Sequence, residues 1–351
     1  MTEKSTLPLV SVVTPAYNEE DHLKECIESV LAQTYQNWEH IIVNNRSTDR
    51  TLEIAQGYAG KDSRIHVHTN DTFVGAIENL NSGLRLISPA SKFCKPILAD
   101  DWIFPECLTA MVNRAEKDPS VGIVGAYGLD GKVVLCMGLN YPNIVSNGRE
   151  IARMNLLGMP YIFGSPTSLL FRSDLIRSRR DFYEAQNPHT DYHVCLEHLQ
   201  NCDFGFVFQI LTFSRKREDS RTTSSTLYNT IPLGNLAAVV KYGPIFLTAE
   251  ELRERLKVRS RLYYLHLATN VLRLREKKFW NYHRQKLAEL GLRLDRVQLF
   301  AAVCSEVLSN LTHPLPAARK AWTWWSRAFH RLRAKVLGLP AEKQGSLRGN
   351  L

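Results

Sequence analysis

The sequence predicts an α/β chain: a doubly wound, mainly parallel sheet with helices on both faces, plus an all-helical C-terminal extension. Two observations predict it. Short β-branched runs alternate with amphipathic helical stretches at close spacing from residue 9 to about 125, the pattern that builds parallel sheets through crossover helices. Beyond about residue 245, strand-like alternation gives way to helical periodicity. A chain of 351 residues with 44% hydrophobic and 23% charged content can bury a core in one large or two moderate domains.

The elements follow in order. "LPLVSVVTP" is a β-branched run ended by Pro15 and reads as a buried strand. In the next stretch Leu23, Cys26, Ile27, Val30 and Leu31 fall on one helical face, with Asn18 as the expected N-cap. "HIIVNN" is a second strand, and "RSTDRTLEIAQGYA" a helix capped by Ser47 or Thr48 with Asp49 at its start. "RIHVHT" is a third strand, followed by a helix through "AIENLNSGLRLI". "FCKPILA" is the fourth strand, "PECLTAMVNRAEKD" a helix opening on Pro105, and "VGIVGAY" the fifth strand. Farther on, "GSPTSLLFRSDLI" reads as loop, strand and helix, "NPHTDYHVCLEHLQN" as a helix, and "FGFVFQILTFS" as a strand.

Ligands of such sheets sit beyond the C-terminal strand ends. The loops there are "TPAYNE", "NNRSTD", "NDTFVG" and "ADDW", all polar. The last places Asp100 and Asp101 side by side after an apolar run. Like charges there are tolerable in a solvated turn, or with a cation between them and a ligand. No GxxxxGK[ST] or GxGxxG follows the first strand, so a nucleotide has no glycine cradle. A divalent metal, Mg²⁺ or Mn²⁺, held by carboxylate oxygen could instead neutralise a diphosphate.

"VSVVTPAYNEEDHLKECIESVLAQTYQNWEHIIVNNRSTDRTLEIA" with "KPILADDWIFPECL", then "FGSPTSLLFRSDLI" and "HTDYHVCLEHL", resembles the family 2 glycosyltransferases over about residues 9 to 225. The resemblance implies a GT-A fold and an inverting enzyme that moves a sugar from a nucleoside-diphosphate sugar, commonly a UDP-sugar, to an acceptor hydroxyl. It implies that Pro15, Ala16, Tyr17 and Glu19 cradle the base and ribose, and that Asn45 meets the base where the family often has Asp. Lys95, Asp100 and Asp101 fall on the donor side, Asp100 aligning with the metal-binding carboxylate. Leu98 replaces the first acid of the usual Asp-x-Asp. Arg215 and Arg217 would lie over the diphosphate, and Asp191 would be the general base. The implied organisation is a GT-A domain over 1–228, with a nucleotide-sugar half (9–125) and an acceptor half (126–228), then a basic helical region over 229–351.

That last region holds charge of its own. Residues 251–351 carry 21 Lys and Arg against 7 Asp and Glu, whereas residues 1–250 carry 23 against 28. Trp322, Trp325, Phe329, Leu332 and Val336 form an apolar stripe on an expected helix over 316–338, with Lys320, Arg327, Arg331 and Lys335 mostly opposite. This pattern fits a membrane interface. The seven cysteines form no CxxC pair, the start "MTEKSTLPLV" has no apolar h-region, and no 18-residue apolar run occurs. The expectation is a cytoplasmic enzyme, peripheral on the membrane, acting on a cell-envelope, polysaccharide or lipid-linked acceptor. His189 and His193 flank Asp191, but histidines of a helix face are commoner than a zinc site. Two other readings are a non-catalytic carbohydrate-binding scaffold, for which Leu98 speaks, and nucleic-acid binding through the tail, against which the acidic body speaks.

Overall fold

A computed structural model describes residues 7–141, 145–215, 228, 230–273 and 275–312. Arg217 and the expected helix over 316–338 lie outside the described residues.

The chain divides into two compact units, Met1–Arg259 and Ser260–Leu351. The first begins with β1 (Leu9–Ala16), α1 (Leu23–Leu31), β2 (Trp38–Asn44), α2 (Thr51–Ala59), β3 (Ile65–Thr69), α3 (Ala76–Leu84) and β4 (Ser91–Pro96). It continues with β5 (Trp102–Ile103), α4 (Cys107–Glu116), β6 (Val121–Asp130), β7 (Val133–Leu135), β8 (Val145–Ser146) and α5 (Gly148–Leu157). Then come β9 (Leu169–Arg172), α6 (Ser173–Arg177), α7 (Thr190–His198), β10 (Asp203–Ser214) and α8 (Ile231–Phe246); the boundary between the units falls inside α9 (Ala249–Leu272). Within the second unit lie α10 (Lys277–Glu289) and α11 (Arg296–Thr312).

The sheet runs β3-β2-β1-β4-β9-β6-β10-β5. Its long registers are parallel: β1 with β2 and β4, β2 with β3, and β6 with β10. Strand β9 enters antiparallel between β4 and β6. The alternation of strands and helices is as expected; this insertion is not, because β9 follows β6 by a long excursion and its four residues carry no directional signal.

Two apolar layers cover the two faces. One gathers α1 and α4 through Leu23, Cys26, Ile27, Val30, Leu108 and Met111. The other gathers α3, α5, α7 and α8 through Leu80, Leu84, Ile151, Leu156, Val194, Leu196, Val239 and Tyr242. Burying a residue such as Leu23 or Ile27 contributes roughly 1.5–3 kcal/mol. Helix α3 lies so close to the sheet that a Cβ on Gly83 would come 2.5 Å from Val13 Cγ1. Because α8 joins this layer, the first unit extends past the expected limit at 228.

Two caps differ from expectation. Helix α1 starts without a side-chain cap; the N–H groups of His22 and Leu23 donate to the Glu19 carbonyl instead. Asn18 sits at φ +51° and its Oδ1 accepts from Thr48 N at 2.8 Å, tying two loops together. At α2 neither Ser47 nor Thr48 caps. Asp49 Oδ1 accepts from Thr51 N at 3.0 Å, so Asp49 is the helix-start residue.

In the second unit Tyr263, Leu267, Phe279, His283 and Leu287 are buried. The Tyr263 hydroxyl and His283 Nδ1 lie 3.0 Å apart. Among the described residues no helix is long and apolar enough to cross a membrane.

Candidate functional site

The order β3-β2-β1-β4 makes the C-terminal end of β1 a topological switch point, where open α/β sheets leave a crevice. Asn45 N donates to Ala16 O (2.8 Å), Asn70 N to Asn44 O (3.1 Å) and Ile97 N to Val13 O (2.9 Å). These bonds bring the loops after β1, β2, β3 and β4 to one edge. Cross-ties hold the first two: Asn18 N donates to Ser47 Oγ, Glu19 N to Thr51 Oγ1 and Glu20 N to Asp49 Oδ2.

Pro15 and the buried Ala16 end β1, and Tyr17 projects from it, 44% exposed. Its ring meets that of Phe73, 60% exposed, with centroids 4.9 Å apart at 62°. Phe73 belongs to the polar loop "NDTFVG". Its lone aromatic among polar neighbours was the available signal, and sequence reasoning did not single it out.

Asn45 is not an open acceptor. Its Oδ1 takes hydrogen bonds from Asn70 Nδ2 (3.1 Å) and Val74 N (3.0 Å), while its Nδ2 donates to Val74 O (2.8 Å). The oxygen expected to meet a base instead shapes the Phe73 loop.

The neighbouring acids part. Asp101 is 3% exposed. Its Oδ2 accepts from Thr167 Oγ1 (2.6 Å) and Ser214 Oγ (3.3 Å), and its Oδ1 from Arg215 N (3.0 Å). Burial pushes its carboxyl up to about 7, against those hydrogen bonds. Asp101 therefore clasps the loop after β4 to the Pro166–Ser168 turn and to the end of β10. Asp100 stays half-buried at the strand end. Asp100, Asp101 and Glu19 all add to the rise of the buried Cys26 thiol, which burial itself chiefly pushes up to about 12.

Lys95 also departs from expectation. It is fully buried, and its ammonium donates to Thr167 O (2.5 Å) and Leu169 O (3.1 Å) beneath the loops. It secures the turn that bears Thr167. Arg215 pairs with Glu25 and donates from Nε to Asp100 O at 3.3 Å, so its guanidinium fastens the Asp100 loop to α1.

Asp191 opens α7, half-buried, with Oδ1 accepting from Tyr192 N at 2.9 Å. Burial raises its carboxyl from the ordinary 3.8 to about 6. Tyr161 and Tyr192 stack edge-on beside it at 5.6 Å, and the Tyr161 phenol is pushed far up by burial and then by Asp191. A continuous path links the two acids. Thr167 holds Asp101, a Cβ on Gly164 would meet Ser168 Oγ and Cys136 Sγ, and the Tyr161 hydroxyl donates to Gly164 O at 3.0 Å.

Among the described residues no group of three or more His, Cys, Asp or Glu side chains converges as a metal site. His193 Nδ1 lies 2.8 Å from Asn187 Nδ2, and a Cβ on Gly234 would strike the His189 ring; both histidines are packing elements. Asp100, half-buried at the strand end, is the carboxylate that could help hold a hard cation of the Mg²⁺ or Mn²⁺ type, completed by water and diphosphate oxygens.

The model of the glycosyl transferase family 2 matches residues 11–180. An uncharacterized glycosyltransferase of Haemophilus influenzae is 38% identical over 120 residues, 34% of this chain and 36% of that protein. The chain thus aligns with about a third of the length of such curated relatives. Among solved structures, S. aureus TarS 1–349 in complex with UDP-GlcNAc is similar with a TM-score of 0.58 at 18% identity, over 80% of each chain. The mannosyltransferase PcManGT of Pyrobaculum calidifontis, in complex with GDP-Man and Mn²⁺, gives 0.51 at 14% identity, over 88% of each. At these identities the likeness is one of fold, a mixed, mostly parallel GT-A architecture with helices following it. The segment that carries the switch-point loops, residues 11–180, is thus the part of the chain that matches glycosyl transferase family 2.

Proposed function

We propose that the chain is an inverting glycosyltransferase that moves a sugar from a nucleoside-diphosphate sugar, a UDP-sugar, to a hydroxyl of a glycan or glycolipid of the cell envelope. The observation that carries this is Asp191, a carboxylate at the start of α7 raised by burial to about 6, followed in the chain by Tyr192, whose ring meets that of Tyr161. At neutral pH it is ionised yet basic enough to take a hydroxyl proton, the condition for an effective general base. The proton passes from the acceptor hydroxyl to Asp191, the freed oxygen bonds to the anomeric carbon, and the bond to the diphosphate breaks on the opposite face. Tyr17 and Phe73 give the base an aromatic wall, and Asp100 would hold a divalent cation. That ion, when bound, neutralises the diphosphate as it leaves. The UDP-GlcNAc complex of TarS and the Mn²⁺ complex of PcManGT support the donor and metal classes.

The test is a thermal-shift panel of nucleoside diphosphates with and without Mn²⁺. Ligand at a hundred times its Kd stabilises the native state by about 2.7 kcal/mol, so UDP with Mn²⁺ is expected to raise the melting temperature by several degrees. A flat response across the panel overturns the donor assignment. In the same assay Tyr17→Ala and Phe73→Ala are expected to weaken UDP by roughly tenfold, the loss of about 1–1.5 kcal/mol of aromatic contact. Both rings are exposed, so the melting temperature without nucleotide should stay nearly unchanged. Wild-type UDP affinity in both variants would remove the aromatic wall from the site.

A further inference from the structure

Helix α9 carries two arginines, Arg255 and Arg259, one turn apart on a single face. Both are half-buried, while Arg253, Glu254, Lys257 and Val258 on the same helix are exposed. Arg255 Nε donates to Leu156 O at 2.5 Å. Its guanidinium lies over Gly158, the C-cap of α5 at φ +113°, where a Cβ would come 2.7 Å from Nη2. The backbone at this C-cap needs glycine because φ +113° strains any other residue. Arg259 Nε is buried and has no hydrogen-bond partner.

Among the described residues neither guanidinium has a carboxylate. The acid one turn earlier on the helix, Glu251, is taken by Arg153 and by Thr248 N. Arg255 is lowered by burial and then by Arg259; Arg259 is lowered by burial. Two desolvated cations repelling each other destabilise the free protein unless an anion joins them.

Their place gives the pair its meaning. Leu252 and Leu256 of the same helix pack against the apolar layer that Tyr192 also packs against, and the charges of Arg259 and Arg255 both offset the burial that pushes the Tyr192 hydroxyl up to about 12. Tyr192 follows Asp191 in the chain and packs against Tyr161, whose phenol feels the Asp191 charge.

We propose that Arg255 and Arg259 form an oxyanion subsite beside Asp191, which binds a phosphate or carboxylate carried by the acceptor close to the hydroxyl that reacts. The word acceptor rests on the glycosyltransferase reading; the anion site itself does not. Guanidinium forks match both oxyanions in bidentate geometry, and a neutral polyol could not offset the charge of the pair. The subsite thus selects acceptors that carry an oxyanion over neutral ones.

The test titrates the full chain with glycerol 1-phosphate, galacturonate, inorganic phosphate, glycerol and galactose, read by calorimetry. UDP with Mn²⁺ is followed in parallel by thermal shift. Glycerol 1-phosphate or galacturonate is expected to bind, and which of the two binds more tightly names the oxyanion source. Glycerol and galactose are expected not to bind. Arg259→Gln should weaken the anion at least tenfold, Arg259→Lys should retain part of it, and Arg253→Gln on the exposed face should change nothing. All three should keep the wild-type UDP shift, which shows an intact fold and donor site. Equal anion affinity in wild type and Arg259→Gln overturns the proposal, as does binding of inorganic phosphate alone or loss in Arg253→Gln. Loss of the UDP shift in wild type, with anion binding kept, would instead overturn the donor reading and leave the oxyanion site standing.

Discussion

Asp191→Asn is expected to lower turnover by about 10²- to 10⁴-fold, the usual contribution of a positioned general base, and at the same time to raise the melting temperature at pH 7.5. The two effects have one cause. The Asp191 carboxyl is desolvated in the fold, which lifts it from 3.8 to about 6. Above pH 6 it is ionised in both the folded and unfolded chain, and the fold bears the full cost of the buried charge. Between 6 and 3.8 the folded state takes up the proton first and that cost is relieved; below 3.8 none remains. Asparagine abolishes the charge and can still accept from Tyr192 N through its carbonyl, so at pH 7.5 the variant should gain about 1–3 kcal/mol. The gain should vanish toward pH 4. In the wild type, nucleoside diphosphate release should fall about tenfold per pH unit below 6 as the base is protonated. Turnover of Asp191→Asn equal to wild type would remove the base from the mechanism. A melting temperature below wild type at pH 7.5 would show that the carboxylate stabilises the fold.

The adjacent acids should separate just as sharply. Asp101→Ala is expected to destabilise the chain by about 2–4 kcal/mol, because it strands Arg215 N and two hydroxyls inside the protein. Asp101→Asn should cost far less: its oxygen can serve Arg215 N, and a hydroxyl such as Ser214 Oγ can turn to accept from its NH₂. Asp100→Ala, at the partly open strand end, should change stability by under about 1 kcal/mol yet abolish the extra UDP shift that Mn²⁺ confers. Urea unfolding and the nucleotide thermal shift, run on the three variants, read both quantities. Equal destabilisation by Asp100→Ala and Asp101→Ala would contradict the division of roles, and so would a metal response that survives in Asp100→Ala.

The sequence by itself determined the alternation of strands and helices, the apolar face of α1 and the strand-end loops that bear Tyr17, Asp100 and Phe73. Those features depend on side-chain periods of two and 3.6 along one backbone segment, so they can be read locally. The tertiary structure alone decided which of the polar residues face outward. Asp100 and Asp101 are neighbours with the same chemistry; only the arrival of Thr167 and Ser214 from distant segments turns Asp101 inward. Asn70 and Val74 fill the Asn45 oxygen, and two carbonyls of the Thr167 turn capture Lys95. Arg255 and Arg259 lie beyond the limit at 228 that the resemblance implied, and they join the Asp191 region because α8 and the start of α9 pack within the first unit. A hydrogen bond or a desolvated charge is a property of two partners brought together, and no stretch of sequence names a partner that the sheet order has yet to choose.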